Sequence, residues 1–391
     1  MKKYLLLVPL MASSALAFAD GSVTLYGQID NGLQFESGLA KGSLFGAATG
    51  NWAPSRFGIK GTEDLGGGTQ AIFTLESGFS TLSGALSGNL FDRQATVGLT
   101  NPVWGTFKVG RMGEYEIQQD SFDLDPQLMQ EYSIVTLVRG RNWSLASNGF
   151  EYTSPKWGGL TLKGQYDLTN STTWNSGNPG SGPGQLGGAQ GRSDGIEITY
   201  ETGPMELMAI YDEIRDSNGE FDNVYVNSRS LMAGMNYSVG PVKVYVGYQH
   251  LAAPQASNQG YFGSDTPTAL PGGVTLPTAL DHEWLGALWQ ATTAASFTAA
   301  VYHANANNGN GNATLFTLGG TYALSKRTFL YSEVGAVRNS STSNVGLGDG
   351  YTDPYGANVN DDPASGASNF RTNPNYGGTQ TGVFAGIVTQ F

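Results

Sequence analysis

The acidic side chains of this sequence are unevenly placed. Glu114, Glu116, Asp120, Asp123, Asp125 and Glu131 fall within 114–147, and Arg139 and Arg141 follow them in the same segment. No nucleophile–base pair can be assembled beside them, so the chemistry they offer is fixed charge. The segment also holds Phe122, Leu124, Leu128, Met129, Ile134, Val135 and Leu137. That mixture suits a loop packed against a wall; the alternative is an ordinary loop with solvated charges. A second acidic group, Asp349, Asp353, Asp361 and Asp362, has the oxygen ligands of a Ca²⁺ site, though a plain solvated Gly/Asn/Asp-rich loop is the better reading. His250, His282 and His303 are too far apart for a metal motif. Residues 346–350 (GLGDG) have the glycines of a phosphate loop but no strand–turn–helix context, and no G-x-S-x-G occurs. No catalytic residue, metal or cofactor is expected.

The elements that must position these charges are strands. In 55–79 a hairpin is written plainly: Phe57 and Ile59 point one way and Arg56, Gly58 and Lys60 the other, then Ala71, Phe73, Leu75 and Phe79 oppose Gln70, Thr74 and Glu76. A period of two is the mark of a strand with one apolar and one polar face. The glycines of 66–68 supply the turn between the arms. The same unit recurs along the chain. Strands are expected near 23–35, 93–100, 106–113, 148–152, 160–168, 195–200, 205–215, 230–237, 242–251, 282–291, 296–304, 314–323, 328–337 and 382–391. Short Gly/Pro turns alternate with long Gly/Ser/Asn/Asp loops, among them 36–54, 170–192, 252–279 and 339–378. The total is about sixteen strands of roughly ten residues, an even number.

Composition bounds the compartment. The chain opens Met1-Lys2-Lys3, runs apolar through Leu10 and reaches small residues ending Ala17-Phe18-Ala19, the pattern of a secretory signal peptide (1–19) with a mature start at Asp20. There are no cysteines, so burial and backbone hydrogen bonds must hold the fold. The net charge is −12, and losing Lys2 and Lys3 with the signal would deepen it by two. A nucleic-acid partner is therefore not expected.

Alternation alone would also fit a soluble sandwich. Three features argue instead for an all-β, antiparallel transmembrane β-barrel over 20–391. Loop lengths are strongly asymmetric. Aromatics recur near strand ends as interface girdles would require: Tyr26, Phe35, Phe57, Phe79, Phe107, Tyr166, Tyr248, Trp284, Trp289 and Phe391. The second face carries Lys60, Lys108, Lys163, Asp167, Glu206, Asp212, Lys243 and Gln249, which no dry core can hold unpaired but which can line water. In lipid every backbone group must be paired, so the first strand must close on the last.

The residues then match a family. Val23-Thr24-Leu25-Tyr26-Gly27, the stretch from Ser55 through Gly68, Ala71-Ile72-Phe73-Thr74-Leu75-Glu76, Arg93-Gln94-Ala95-Thr96-Val97-Gly98-Leu99, Lys108-Val109-Gly110-Arg111, Tyr152-Thr153-Ser154-Pro155, Leu324-Ser325-Lys326-Arg327-Thr328 and the terminal Phe391 resemble the trimeric general porins of Gram-negative bacteria, of the betaproteobacterial and neisserial type. The resemblance implies a sixteen-stranded barrel, a homotrimer in outer-membrane lipid and lipopolysaccharide, and a third loop folded into the lumen. It also implies insertion by the barrel-assembly machinery, with Phe391 as the signal it reads.

By that resemblance 114–147 is the loop that narrows the pore, with Arg56 and Arg93 opposing its acids and Lys60, on the Arg56 face, beside them. Arg93 raises a difficulty, since strict alternation sets it with Ala95, Val97 and Leu99 towards lipid. Either the strand bulges near Asp92 or Arg93 lies above the regular ladder. Where some relatives carry a further arginine, this chain has Ser144-Leu145-Ala146-Ser147. The expected function is passive diffusion of ions and small hydrophilic solutes, weakly cation-selective because acids outnumber bases. The alternatives are a substrate-preferring channel with a saturable lumenal site, an enzyme on a membrane barrel, and a soluble periplasmic binding module.

Overall fold

A computed structural model describes residues 21–391 except 41, 114–115, 129, 144–146, 169–191, 217, 257–275, 310 and 351–372. The expected signal peptide, Glu114, Asp353, Asp361 and Asp362 lie outside the described residues. Seventeen strand segments form one antiparallel sheet that closes on itself. They are β1 (Ser22–Leu39), β2 (Gly42–Ala48), β3 (Arg56–Gly66), β4 (Thr69–Gly78), β5 (Gln94–Asn101), β6 (Gly105–Arg111), β7 (Gly149–Thr153), β8 (Leu160–Asp167) and β9 (Arg192–Thr202). The second half holds β10 (Met205–Arg215), β11 (Arg229–Val239), β12 (Val242–Ala252), β13 (Ala279–Gln290), β14 (Ala295–Ala306), β15 (Ala313–Ala323), β16 (Thr328–Asn339) and β17 (Thr379–Gln390).

The barrel has sixteen staves, because β2 and β3 share one. β2 pairs with the upper half of β1 (Gly32 opposite Ala48) and β3 with the lower half (Gln28 opposite Arg56). The stretch read as a loop at 36–54 thus contains a strand. It was hidden because Gly42-Ser43-Leu44-Phe45-Gly46 offers too few alternating side chains to declare a face.

Closure runs β1 to β17, with Gly27 and Phe391 exchanging backbone hydrogen bonds of 3.1 and 3.0 Å. Gly27 is required there: a Cβ would meet the Phe391 ring and the Arg56 carbonyl oxygen, each at 2.5 Å. At the end of the barrel that holds Phe391, connections are short, such as 203–204 and 240–241. At the other end they extend to 112–148 and 340–378.

The outer surface is the exposed apolar one: Leu33, Val97, Ile196, Leu285, Leu318 and Val383 all face out. Such a band is what lipid requires. The inner surface differs between halves. Along β3–β9 it is charged. Along β10–β17 it is largely apolar, with Ile210, Met232, Leu280, Trp284, Tyr302, Leu315, Phe384 and Val388 buried. Two members of the expected aromatic girdle are thereby displaced. Trp284 points inward and is 3% exposed, and the Tyr26 hydroxyl reaches in to Glu76 at 2.9 Å.

The third loop (112–148), L3, covers that apolar half from inside. Its Leu124, Tyr132, Ile134, Leu137 and Val138 are fully buried in one cluster with Trp284, Tyr302, Tyr331 and Phe384. Each such side chain removed from water contributes roughly 1.5–3 kcal/mol.

Candidate functional site

The site is built on an inward detour of the wall. After Ala48 the chain leaves the sheet and rejoins it at Arg56. Asp30 on β1 holds the detour, accepting hydrogen bonds from the backbone N–H of Trp52 (2.9 Å) and Ala53 (3.1 Å), while Ser55 Oγ accepts from the Asp30 N–H at 2.8 Å. Gln28 Nε2 donates to the carbonyls of Ala53 and Pro54. Trp52 is thereby set inside the barrel, edge-on to Phe329 with centroids 5.0 Å apart.

Arg56 opens β3 on the inner face. Its guanidinium is only loosely engaged, 3.4 Å from the Pro54 carbonyl and 3.9 Å from Glu76. Arg93 lies one residue ahead of β5, where its N–H bonds the Glu76 carbonyl. Phe91, at φ +60°, turns the chain just before it. Arg93 is therefore above the ladder rather than on the lipid face, and its Nε meets Glu76 Oε1 at 2.7 Å. Glu76 is fully buried and serves both arginines and Tyr26.

L3 is fastened along the opposite wall, largely through a 3-10 segment, Ile117–Leu124. The Ile117 N–H donates to Gln165 Oε1 at 2.8 Å and Gln118 Nε2 to Ser193 Oγ at 2.9 Å. Asn236 donates to the Asp123 carbonyl and the Trp284 indole to the Leu124 carbonyl. The Tyr302 hydroxyl bonds Asp125, and Gln127 bonds Thr317 at 2.7 Å. Farther on, Arg141 forms a fully buried pair with Asp212 and bonds Ser228 Oγ at 2.7 Å, and Asn142 bonds Gln249. Asp212 and Gln249, expected to line water, are thus anchors for L3.

Between L3 and the β3–β5 wall lies a cavity of about 260 Å³. Arg56 and Arg93 face it from the wall, Asp120 and Asp123 from L3, and Trp52, Phe122, Leu128 and Trp143 fill the sides between. Asp120 is paired with Lys163. Lys163 belongs to a charged ladder on β6–β8 in which Lys108 meets Glu151 at 2.6 Å and Lys163 meets it at 3.5 Å. Asp123 is exposed to the lumen, and its carboxyl is pushed up to about 6, first by partial desolvation and then by Glu206 and Asp120.

Of the predicted pore residues, Arg56, Arg93, Asp120 and Asp123 are brought together. The other described ones are set apart, and Glu114 lies outside the described residues. Lys60 sits lower on β3, over the Tyr26 ring at 5.1 Å, and does not line the cavity. Glu116 and Asp125 are fully buried, because the hydrogen bonds of L3 to the wall draw them under the loop. Glu131 lies against the detour, its N–H bonding the Asn51 carbonyl, with its carboxyl pushed up to about 8 by burial and then by Glu36. Arg139 is buried beside Tyr225 and bonds Asn344 of the last long loop at 3.1 Å, away from the cavity. The aromatic lining was missed. Its one signal was a tryptophan next to Ala53-Pro54 in an otherwise small-residue stretch.

Comparison with known proteins adds the following. The family model described as Gram-negative porin matches residues 6–342. An outer membrane porin protein of Bordetella pertussis is 31% identical over 377 residues, covering 85% of this chain and 93% of its own length. An anion-selective porin from Comamonas acidovorans superposes with a TM-score of 0.73 at 22% identity, covering 95% of this chain and all of that one. A trimer form of OmpT from Vibrio cholerae superposes at 0.57 and 14% identity, covering 95% of this chain and 99% of that one.

Proposed function

Because the chain belongs to the Gram-negative porin family and forms an outer-membrane channel, we propose that ions and small hydrophilic solutes diffuse passively between L3 and the β3–β5 wall. The observation that carries this reading is the cavity in which Arg56 and Arg93 oppose Asp120 and Asp123. A pore of this kind selects by width and by fixed charge.

Its charges largely cancel. Glu76 offsets Arg93 and Lys163 offsets Asp120, leaving Arg56 against Asp123. Weak cation selectivity therefore rests on the overall acidity of the chain and not on the number of acids in L3, several of which never reach the cavity. The Comamonas structure is named anion-selective, but its likeness to this chain is one of fold.

The assembly reading is a homotrimer, mature from Asp20, surrounded by outer-membrane lipid and lipopolysaccharide and inserted through the barrel-assembly machinery by way of Phe391. The channel role is preferred to an enzymatic one because the chain belongs to the Gram-negative porin family and Arg93 and Asp120 in the cavity are already held in ion pairs.

The test is a planar-bilayer recording of refolded protein under a KCl gradient. Stepwise conductance with closures in threes and a small cation-directed reversal potential is the expected result. A silent bilayer from folded protein would overturn the reading, and a strongly anion-directed potential would overturn its selectivity.

A further inference from the structure

We propose that the cavity between L3 and the β3–β5 wall is a weak, saturable binding site for zwitterionic amino acids with flat aromatic side chains. This rests on the channel reading above and deepens it by naming a solute class.

Two charged groups in the cavity are available to a solute. Arg56 makes only its long contacts, at 3.4 Å to the Pro54 carbonyl and 3.9 Å to Glu76, so guanidinium donors are left for a carboxylate. Arg93 is committed to Glu76 at 2.7 Å. Across the space, Asp123 is exposed, and only its backbone carbonyl is used in holding L3; its carboxylate is placed to take an ammonium. Asp120 is committed to Lys163.

Between the two poles the surface is apolar and aromatic. Trp52, Phe122 and Trp143 line it, and Phe122 is 44% exposed although Leu124, Ile134, Val135, Leu137 and Val138 of the same loop are fully buried. A ring left open beside a carboxylate, facing a second ring and a guanidinium, offers one surface for stacking and two for charge. At about 260 Å³ the space lies below the ~300–1,000 Å³ of pockets for drug-sized ligands, so it suits one small solute at a time.

The test records single-channel currents in KCl with L-phenylalanine, L-alanine, phenylethylamine and 3-phenylpropionate. L-phenylalanine should interrupt the current with an apparent affinity about five-fold or more tighter than L-alanine and than either singly charged analogue. Phe122→Leu, which keeps apolar area but removes the flat face, should bring phenylalanine close to alanine, each response being read relative to that variant's own KCl conductance. Asp123→Asn should equalise phenylalanine and 3-phenylpropionate, and Arg56→Gln should equalise phenylalanine and phenylethylamine. Normal KCl conductance with equal responses to phenylalanine and alanine, or a response indifferent to Phe122→Leu, overturns the site alone. Folded protein without KCl conductance overturns the channel reading and the site with it.

Discussion

At the scale of single residues, Asp123 sets the pH response. Its carboxyl titrates at about 6 under partial desolvation and the like charges of Glu206, Asp120 and Glu201, eased by Lys243. A raised carboxyl pKa means the group is charged above that value and neutral below it. Acidifying from pH 7.5 to 5 should remove one negative charge from the lumen and lower the cation-to-anion permeability ratio, by about two-fold for a single wall charge. Glu131, near 8, is already mostly neutral at pH 7 and adds little to this step. Reversal potentials measured across this range check the expectation, and Asp123→Asn should flatten the curve.

The two wall arginines should separate in a different way. Arg56→Gln, removing a loosely held charge, should shift selectivity towards cations with little effect on stability. Arg93→Gln takes from the buried Glu76 its close cation, leaving Tyr26 and the more distant Arg56, and should cost about 3 kcal/mol, read as a lower unfolding temperature of the barrel.

At the scale of elements, the informative one is L3. Its acids and its apolar residues lie within a few positions of each other in sequence, yet serve different ends. Leu124, Ile134 and Leu137 hold the loop to the apolar half of the wall, while Asp120, Phe122 and Asp123 are left on its open side. The Arg141–Asp212 pair is a polar fastening with both partners fully buried, so the loss of either one is costly. Asp212→Ala should cost about 3–5 kcal/mol by leaving the guanidinium uncompensated. Increased current noise, together with a lowered melting transition, is the expected observation. Trp284→Phe gives up the hydrogen bond to the Leu124 carbonyl and the part of the indole that lies over Gly247, a loss of roughly 2–3 kcal/mol, and should leave the conductance nearly unchanged.

At the scale of the whole molecule, the barrel must close, since an open edge in lipid would leave a row of unpaired backbone groups. Closure joins residues at opposite ends of the chain, and Gly27 is where a side chain would interfere. Gly27→Val places carbon against both the Phe391 ring and the Arg56 carbonyl. It should reduce the yield of heat-modifiable folded barrel on gel electrophoresis.

The strands other than β2, and their turns, were determined by sequence alone because each depends on local pattern, and the outer-membrane address followed from the family resemblance. Alternation at a period of two sets a strand whatever it pairs with, which is why 205–215 was read to the residue as β10. What each inner face touches was decided by the tertiary structure. On β13 Asp281 and Glu283 face out while Leu280 and Trp284, the latter expected in the aromatic girdle, face in. No rule of alternation could show this, because L3, 160 residues away in the contact from Trp284 to Leu124, supplies the apolar partner. Arg93 was placed by a turn at Phe91, and Trp52 by hydrogen bonds from a detour that the sequence showed only as a loop. Polarity predicts burial only when the neighbour is known, and in a closed barrel the neighbour on the inside is a loop folded back from far along the chain.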